Sequence, residues 1–179
     1  MNRIILVGHA ASGKDFARKE LQKQGFIYQL GYTTRPPRIG EIDGVDYHFI
    51  SEELFNVMIS TGKMYEHVQF NGWYYGTSKE QFFQENSVFI MTPTGISHIK
   101  EEDLKDCIIF YFNIDDSIRK ERLENRNDNS DSIIRRMEAD RNDFKDFKNY
   151  TVAISEPEFT VNYIKMLIKV FSDDRFRTI

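Results

Sequence analysis

RIILVGHAASGKD, residues 3–15, carries the fold in a single stretch. A short apolar run, Ile4 to Val7, ends at Gly8 and passes through a small-residue loop into a helix expected over 13–24. The loop follows the Gly-x4-Gly-Lys pattern in a strand–loop–helix setting, the context in which that pattern binds phosphate. Glycines let the backbone wrap an anion, loop N–H groups and the helix N-terminus supply positive potential, and Lys14 reaches the outer phosphate oxygens. Gly8, Ala10, Ala11, Ser12, Gly13, Lys14 and Asp15 are therefore the candidate ATP-binding set. The competing reading is a glycine-rich turn that holds no ligand.

The position after such a lysine usually carries Ser or Thr, whose hydroxyl binds Mg²⁺; here it is Asp15. The neighbouring strand segment, VFIMTPTG (88–95), offers no acid to hold a metal. Asp15 is thus the candidate Mg²⁺ ligand, since hard cations take oxygen donors. Its alternative role is a solvated helix N-cap.

Two further apolar runs, SVFIM (87–91) and CIIFYF (107–112), also lack clean alternation. Strands apolar on both faces belong to parallel sheets covered by helices. Ser51, Ser78 and Asp115 can cap helices over 52–61, 79–86 and 116–125. A last helix is expected over about 157–171, with Pro157 in its first turn and Val161, Ile164, Leu167, Ile168 and Phe171 along one side. The fold class is α/β: a phosphate-loop-type parallel sheet flanked by helices. One domain is expected, with a core at about 1–31, 87–121 and 148–179, a small mixed α/β excursion at about 32–86, and a helical lid at about 122–147.

With 179 residues, 40 % of them hydrophobic, the chain can bury a real core. A net charge of −4 gives no global basic field, so nucleic acid is not an expected partner and bound phosphates must meet local arginines. No apolar run is long enough to span a bilayer, and the first residues lack a signal-peptide profile. The single cysteine, Cys107, lies in an apolar run and reads as a buried thiol; a cytoplasmic setting is expected.

YTTRPPRIGEIDGVDYHFIS, residues 32–51, is the most specific segment. Arg35 and Arg38 flank two prolines that stiffen the backbone, so two guanidinium forks can hold a dianionic phosphate. This segment resembles the acceptor-binding segment of the guanylate kinase family, and the resemblance runs from the phosphate loop to the last helix. It implies that Arg35 and Arg38, helped by Tyr47 and Tyr75, grip the α-phosphate of a nucleoside monophosphate. In YEHVQFNGWYYGTS (65–78), Glu66 resembles the family's base-reading carboxylate and Thr77 its hydroxyl donor. Guanine offers two N–H donors to one carboxylate, whereas adenine would leave it unpaired. Discrimination of roughly 10⁴-fold follows from such a site. Trp73 and Tyr74 read as core. Gly31 stands where the family carries a serine, and Thr92 and Pro93 stand where it carries an acid, so Thr92 is the candidate acceptor contact there.

The segment 118–144, IRKERLENRNDNSDSIIRRMEADRNDF, is dense in charge. Arg122 and Arg126 lie four apart on one helix face. By resemblance Arg122, Arg126 and Arg136 close over ATP and, with Lys14, carry catalysis by stabilising charge on the moving phosphoryl group. Arg135 and Arg141 are unassigned. The resemblance implies Mg²⁺- and ATP-dependent phosphorylation of GMP or dGMP. Two alternatives stay open: another acceptor, such as a different deoxynucleotide or ribose 1,5-bisphosphate, and a non-catalytic module that binds phosphopeptides.

Overall fold

The computed structural model describes residues 3–70, 72–125 and 133–172. In chain order the elements are β1 (Arg3–Gly8), α1 (Lys14–Gln22), β2 (Ile27–Tyr28), β3 (Tyr32–Thr33), β4 (His48–Phe49) and α2 (Glu52–Ser60). Then come β5 (Met64–Phe70), β6 (Trp73–Ser78), α3 (Lys79–Phe82), β7 (Ser87–Ile90), α4 (Pro93–Ser97) and α5 (Glu101–Leu104). The chain continues through β8 (Cys107–Phe112), α6 (Asp116–Glu124), α7 (Ile133–Phe144), β9 (Val152–Ile154) and α8 (Val161–Ser172).

β1 is the middle strand of a five-stranded sheet ordered β2-β7-β1-β8-β9, and every pairing in it is parallel. Its side chains alternate between two covered faces. Ile4 and Leu6 pack with Ala17 and Leu21 of α1 and Ile164 of α8. Ile5 and Val7 pack with Phe82 of α3 and Ile96 of α4, with Phe144 of α7 against the same cluster. Two covered faces explain why these strands read as unbroken apolar runs.

A second, mixed sheet is ordered β4-β3-β6-β5, with β3–β4 parallel and the β3–β6 and β6–β5 pairs antiparallel. α2 covers it through Phe55 and Met58, which pack with Met64 and Tyr74. Ser51 caps α2 by accepting the Leu54 N–H, and Ser78 closes a capping box on α3.

Several expectations need correction. The last helix begins at Val161, not near Pro157, because Thr160 accepts the Tyr163 N–H at 3.3 Å and so sets the start. Ile164 is buried on its inner side, with Leu167 and Ile168 packed beside it; the side chains of Val161 and Phe171 lie outside those described. The helix after Ser78 is a single turn, and Asn86 follows with φ 55° before β7. Trp73 is 40 % exposed at the start of β6, whereas Tyr74 stacks on Phe55 at 5.3 Å. Cys107 is buried, and burial pushes its thiol up to about 11.

Candidate functional site

The phosphate loop is fixed by two glycines. A Cβ on Gly8 would lie 2.7 Å from the Phe112 carbonyl oxygen, so the loop can pass this close to β8 only without a side chain. Gly13 is the N-cap residue of α1 at φ 99°, a left-handed conformation that favours glycine. Asp15 therefore sits in the first turn rather than at the N-cap. Its side chain is 66 % exposed, with Arg18 Nε 3.8 Å away.

Lys14 Nζ donates to the carbonyls of Gly8 at 2.6 Å and His9 at 2.7 Å. Ser12, within the loop, is fully buried. His9 packs its ring on Phe144 at 4.2 Å. Burial, helped by the charges of Arg119 and Lys14, pushes His9 down to about 4, so it is neutral at physiological pH.

α6 and α7 hold the loop from the other side. Arg122 donates to the carbonyls of Ala11 at 3.2 Å and Pro157 at 3.1 Å. The Ala10 N–H donates to Asp140 of α7 at 2.6 Å. Arg119 is 0 % exposed and donates to the Ile114 and Ala10 carbonyls and to Asp116 and Asp140. Arg141 bonds the other oxygen of Asp116 at 2.7 Å. Arg126 and the side chain of Arg136 lie outside the described residues.

One cavity of about 350 Å³ runs from this loop to the second sheet. Gly8, Ala10, Ala11, Lys14 and Asp15 line its loop end. Glu66, Thr77, Thr92 and Gly95 line its walls, together with Arg38, Tyr47 and Tyr75. Gly31 and Arg135 also face it. Glu66 on β5 is 6 % exposed and sits opposite Thr77 of β6. Burial pushes its carboxyl up to about 7, opposed in part by the Thr77 hydroxyl and N–H. Gly95 lets α4 approach, since a Cβ there would stand 3.2 Å from Glu66 Oε2. Thr92 caps α4 by accepting the Gly95 N–H at 3.1 Å.

Arg35 opens instead onto an adjoining cavity of about 950 Å³, whose lining shares Lys14, Asp15, Arg38, Tyr47 and Tyr75 with the first. Its guanidinium pairs with Glu41, and Arg38 gives its backbone N–H to the same carboxylate. Tyr47 and Tyr75 meet edge-on with ring centroids 6.2 Å apart, and burial pushes the Tyr47 hydroxyl up to about 12.

Sequence patterning did not single out Glu41, Arg119 or Asp140. Arg119 and Asp140 belong to a charged stretch whose spacing resembles a solvated face, and Glu41 sits in the arginine turn with no spacing that marks it. The hard-cation chemistry of a carboxylate beside the loop suits Asp15 as a holder of Mg²⁺.

The family model described as guanylate kinase matches residues 1–172. A guanylate kinase of Sus scrofa is 31 % identical over 154 residues, covering 81 % of this chain and 78 % of that one. A guanylate kinase of Enterococcus faecalis is 30 % identical, covering 97 % of this chain and 89 % of that one. The crystal structure of guanylate kinase from Anaplasma phagocytophilum superposes with a TM-score of 0.74 at 18 % identity, over 98 % of this chain and 89 % of that one. The Bacillus subtilis YorR protein, solved in complex with phosphorylated GDP, gives a TM-score of 0.54 at 15 % identity, over 97 % and 98 %. Both structures share its fold, and with the family model spanning almost its whole length, the chain belongs to the guanylate kinase family.

Proposed function

We propose that this chain transfers the γ-phosphoryl group of ATP to the 5′-phosphate of GMP or dGMP, giving ADP and GDP or dGDP. The observation that carries the reading is one cavity with the phosphate loop at one end and a buried carboxylate, Glu66, in its wall. Arg38, Tyr47 and Tyr75 line the same space. Loop N–H groups and Lys14 would hold the ATP phosphates; Arg35, Arg38 and the tyrosines would hold the acceptor phosphate; Glu66 and Thr77 would read guanine.

An acceptor phosphate oxygen attacks the γ-phosphorus, and the bond from that phosphorus to the β,γ-bridging oxygen breaks as ADP leaves. The acceptor phosphate is already an adequate nucleophile, so no general base is required. Catalysis then rests on positioning and on cations near the spreading charge. Lys14, whose Nζ donates to the Gly8 and His9 carbonyls, would supply one such cation, and Arg122, anchored to Ala11, braces the loop from α6. Arg126 and Arg136 would join them by family resemblance. Asp15 would hold Mg²⁺, which would supply charge neutralisation to the phosphates when bound.

A ribose bisphosphate acceptor gives Glu66 nothing to read, and a phosphopeptide module has no use for a phosphate loop with its lysine. Both are therefore less well supported. Phosphorus NMR of the protein with Mg·ATP and GMP should show GDP and ADP appearing in equal amounts. ATP hydrolysis without GDP, or no change at all, would reject the reading.

A further inference from the structure

The turn that follows the two prolines folds a carboxylate back onto the arginines. The Glu41 N–H donates to the Arg38 carbonyl at 3.0 Å, and the Glu41 carboxylate accepts the Arg38 N–H at 2.7 Å. The same carboxylate accepts a hydrogen bond from Arg35 Nη2 at Oε1, 3.0 Å, while its Oε2 lies 2.9 Å from Nη1 in an ion pair. Nη1 also donates to the Pro36 carbonyl at 2.8 Å, and the guanidinium carbon lies 5.7 Å and 5.6 Å from the ring centroids of Tyr47 and Phe49. The side chains are 11 % and 19 % exposed, so this pair is more than a loose surface contact. Burial alone would raise the Glu41 carboxyl; the bonds from Arg35 and Arg38 outweigh it and hold the group below its ordinary value.

A guanidinium has two bidentate edges. Glu41 occupies the Nη1–Nη2 edge. Among the described residues Arg35 Nε makes no hydrogen bond and Nη2 makes only the one to Glu41, which leaves the N–H pair of the Nε–Nη2 edge. We propose that Glu41 is a positioning residue for the acceptor phosphate, fixing Arg35 by one edge so that the other is presented to an oxyanion. This rests on the acceptor reading above. A guanidinium already held by its carboxylate, a carbonyl and two rings loses less freedom when the phosphate arrives, so affinity is gained without a new contact. The opposite role has a different sign: a carboxylate that merely stands in for phosphate would compete with it.

The test is initial-rate kinetics with GMP and ATP varied separately, on the wild type, Glu41→Gln, Arg35→Ala and the double variant. Positioning predicts that Glu41→Gln raises the GMP KM by about 10-fold or more, with kcat within about 3-fold. The ATP KM is unchanged. The double variant matches Arg35→Ala in GMP KM, because Glu41 acts through that side chain. An unchanged or lower GMP KM in Glu41→Gln overturns the proposal, as does a double variant showing the product of the two separate effects. A parallel rise in ATP KM overturns it too, by revealing general loosening. If the wild type turns over GMP normally, any of these failures leaves the acceptor reading standing. A wild type inert to GMP overturns both.

Discussion

A carboxylate withdrawn from water by burial is held most easily in its neutral form. Glu66 is such a group, and its folded value near 7 lies above the ordinary 4.5. The stability tied to its protonation is therefore full below about 4.5 and is lost as pH rises through 7. Thermal unfolding of the wild type should weaken across that window more than unfolding of Glu66→Gln, which stays neutral throughout. Guanine recognition runs the other way, because only the charged carboxylate accepts both N–H donors. The GMP KM should fall between pH 6 and 8 in the wild type relative to Glu66→Gln, whose overall GMP KM should be higher; identical pH profiles would contradict the role. The distinctive segment around Glu66 and Thr77 marks them as candidates, and both line one cavity. Glu41 lies in the equally distinctive 32–51 segment, but nothing in residue spacing reveals that a turn brings its carboxylate back onto Arg35.

At the scale of elements, the phosphate loop is braced as much by α6 and α7 as by β1. The buried Arg119 joins the loop to both helices through Ala10, Asp116 and Asp140. Removing one partner of such a network leaves carboxylates and a carbonyl uncompensated. Arg119→Ala should cost about 3 kcal/mol of stability in urea unfolding. A loss within about 0.5 kcal/mol, as for a surface site, would show that the network carries no weight. The central strands and the starts of α1, α2, α3 and α6 could be read from apolar runs, the phosphate-loop pattern and capping residues. β2 and β9 could not, since two or three residues pairing at a sheet edge leave no periodicity. α8 was placed early because Pro157 looked like a first-turn proline, while the cap that sets its start is Thr160. Arg119 escaped notice because a charged helix sequence does not say which of its charges turns inward.

Across the whole molecule, a parallel core presents the loop while a smaller mixed sheet presents Glu66, and the cavity lies between them. Among the described residues no helix is long and apolar enough to cross a membrane. Fold class was legible from alternating strands and helices, and the phosphate loop and the 65–78 segment singled out in the sequence line one cavity. The packing of α7 against the loop was not, because it depends on contacts made across about 130 residues of chain, as between Ala10 and Asp140. The central claim is that this architecture moves a phosphoryl group onto a guanine nucleotide. It is tested most directly by coupled ADP release with Mg·ATP against GMP, dGMP, AMP, dTMP, dUMP, CMP and ribose 1,5-bisphosphate. Turnover with GMP or dGMP at least about 100-fold above every other acceptor is the predicted result, and equal or greater turnover with a non-guanine acceptor would contradict it.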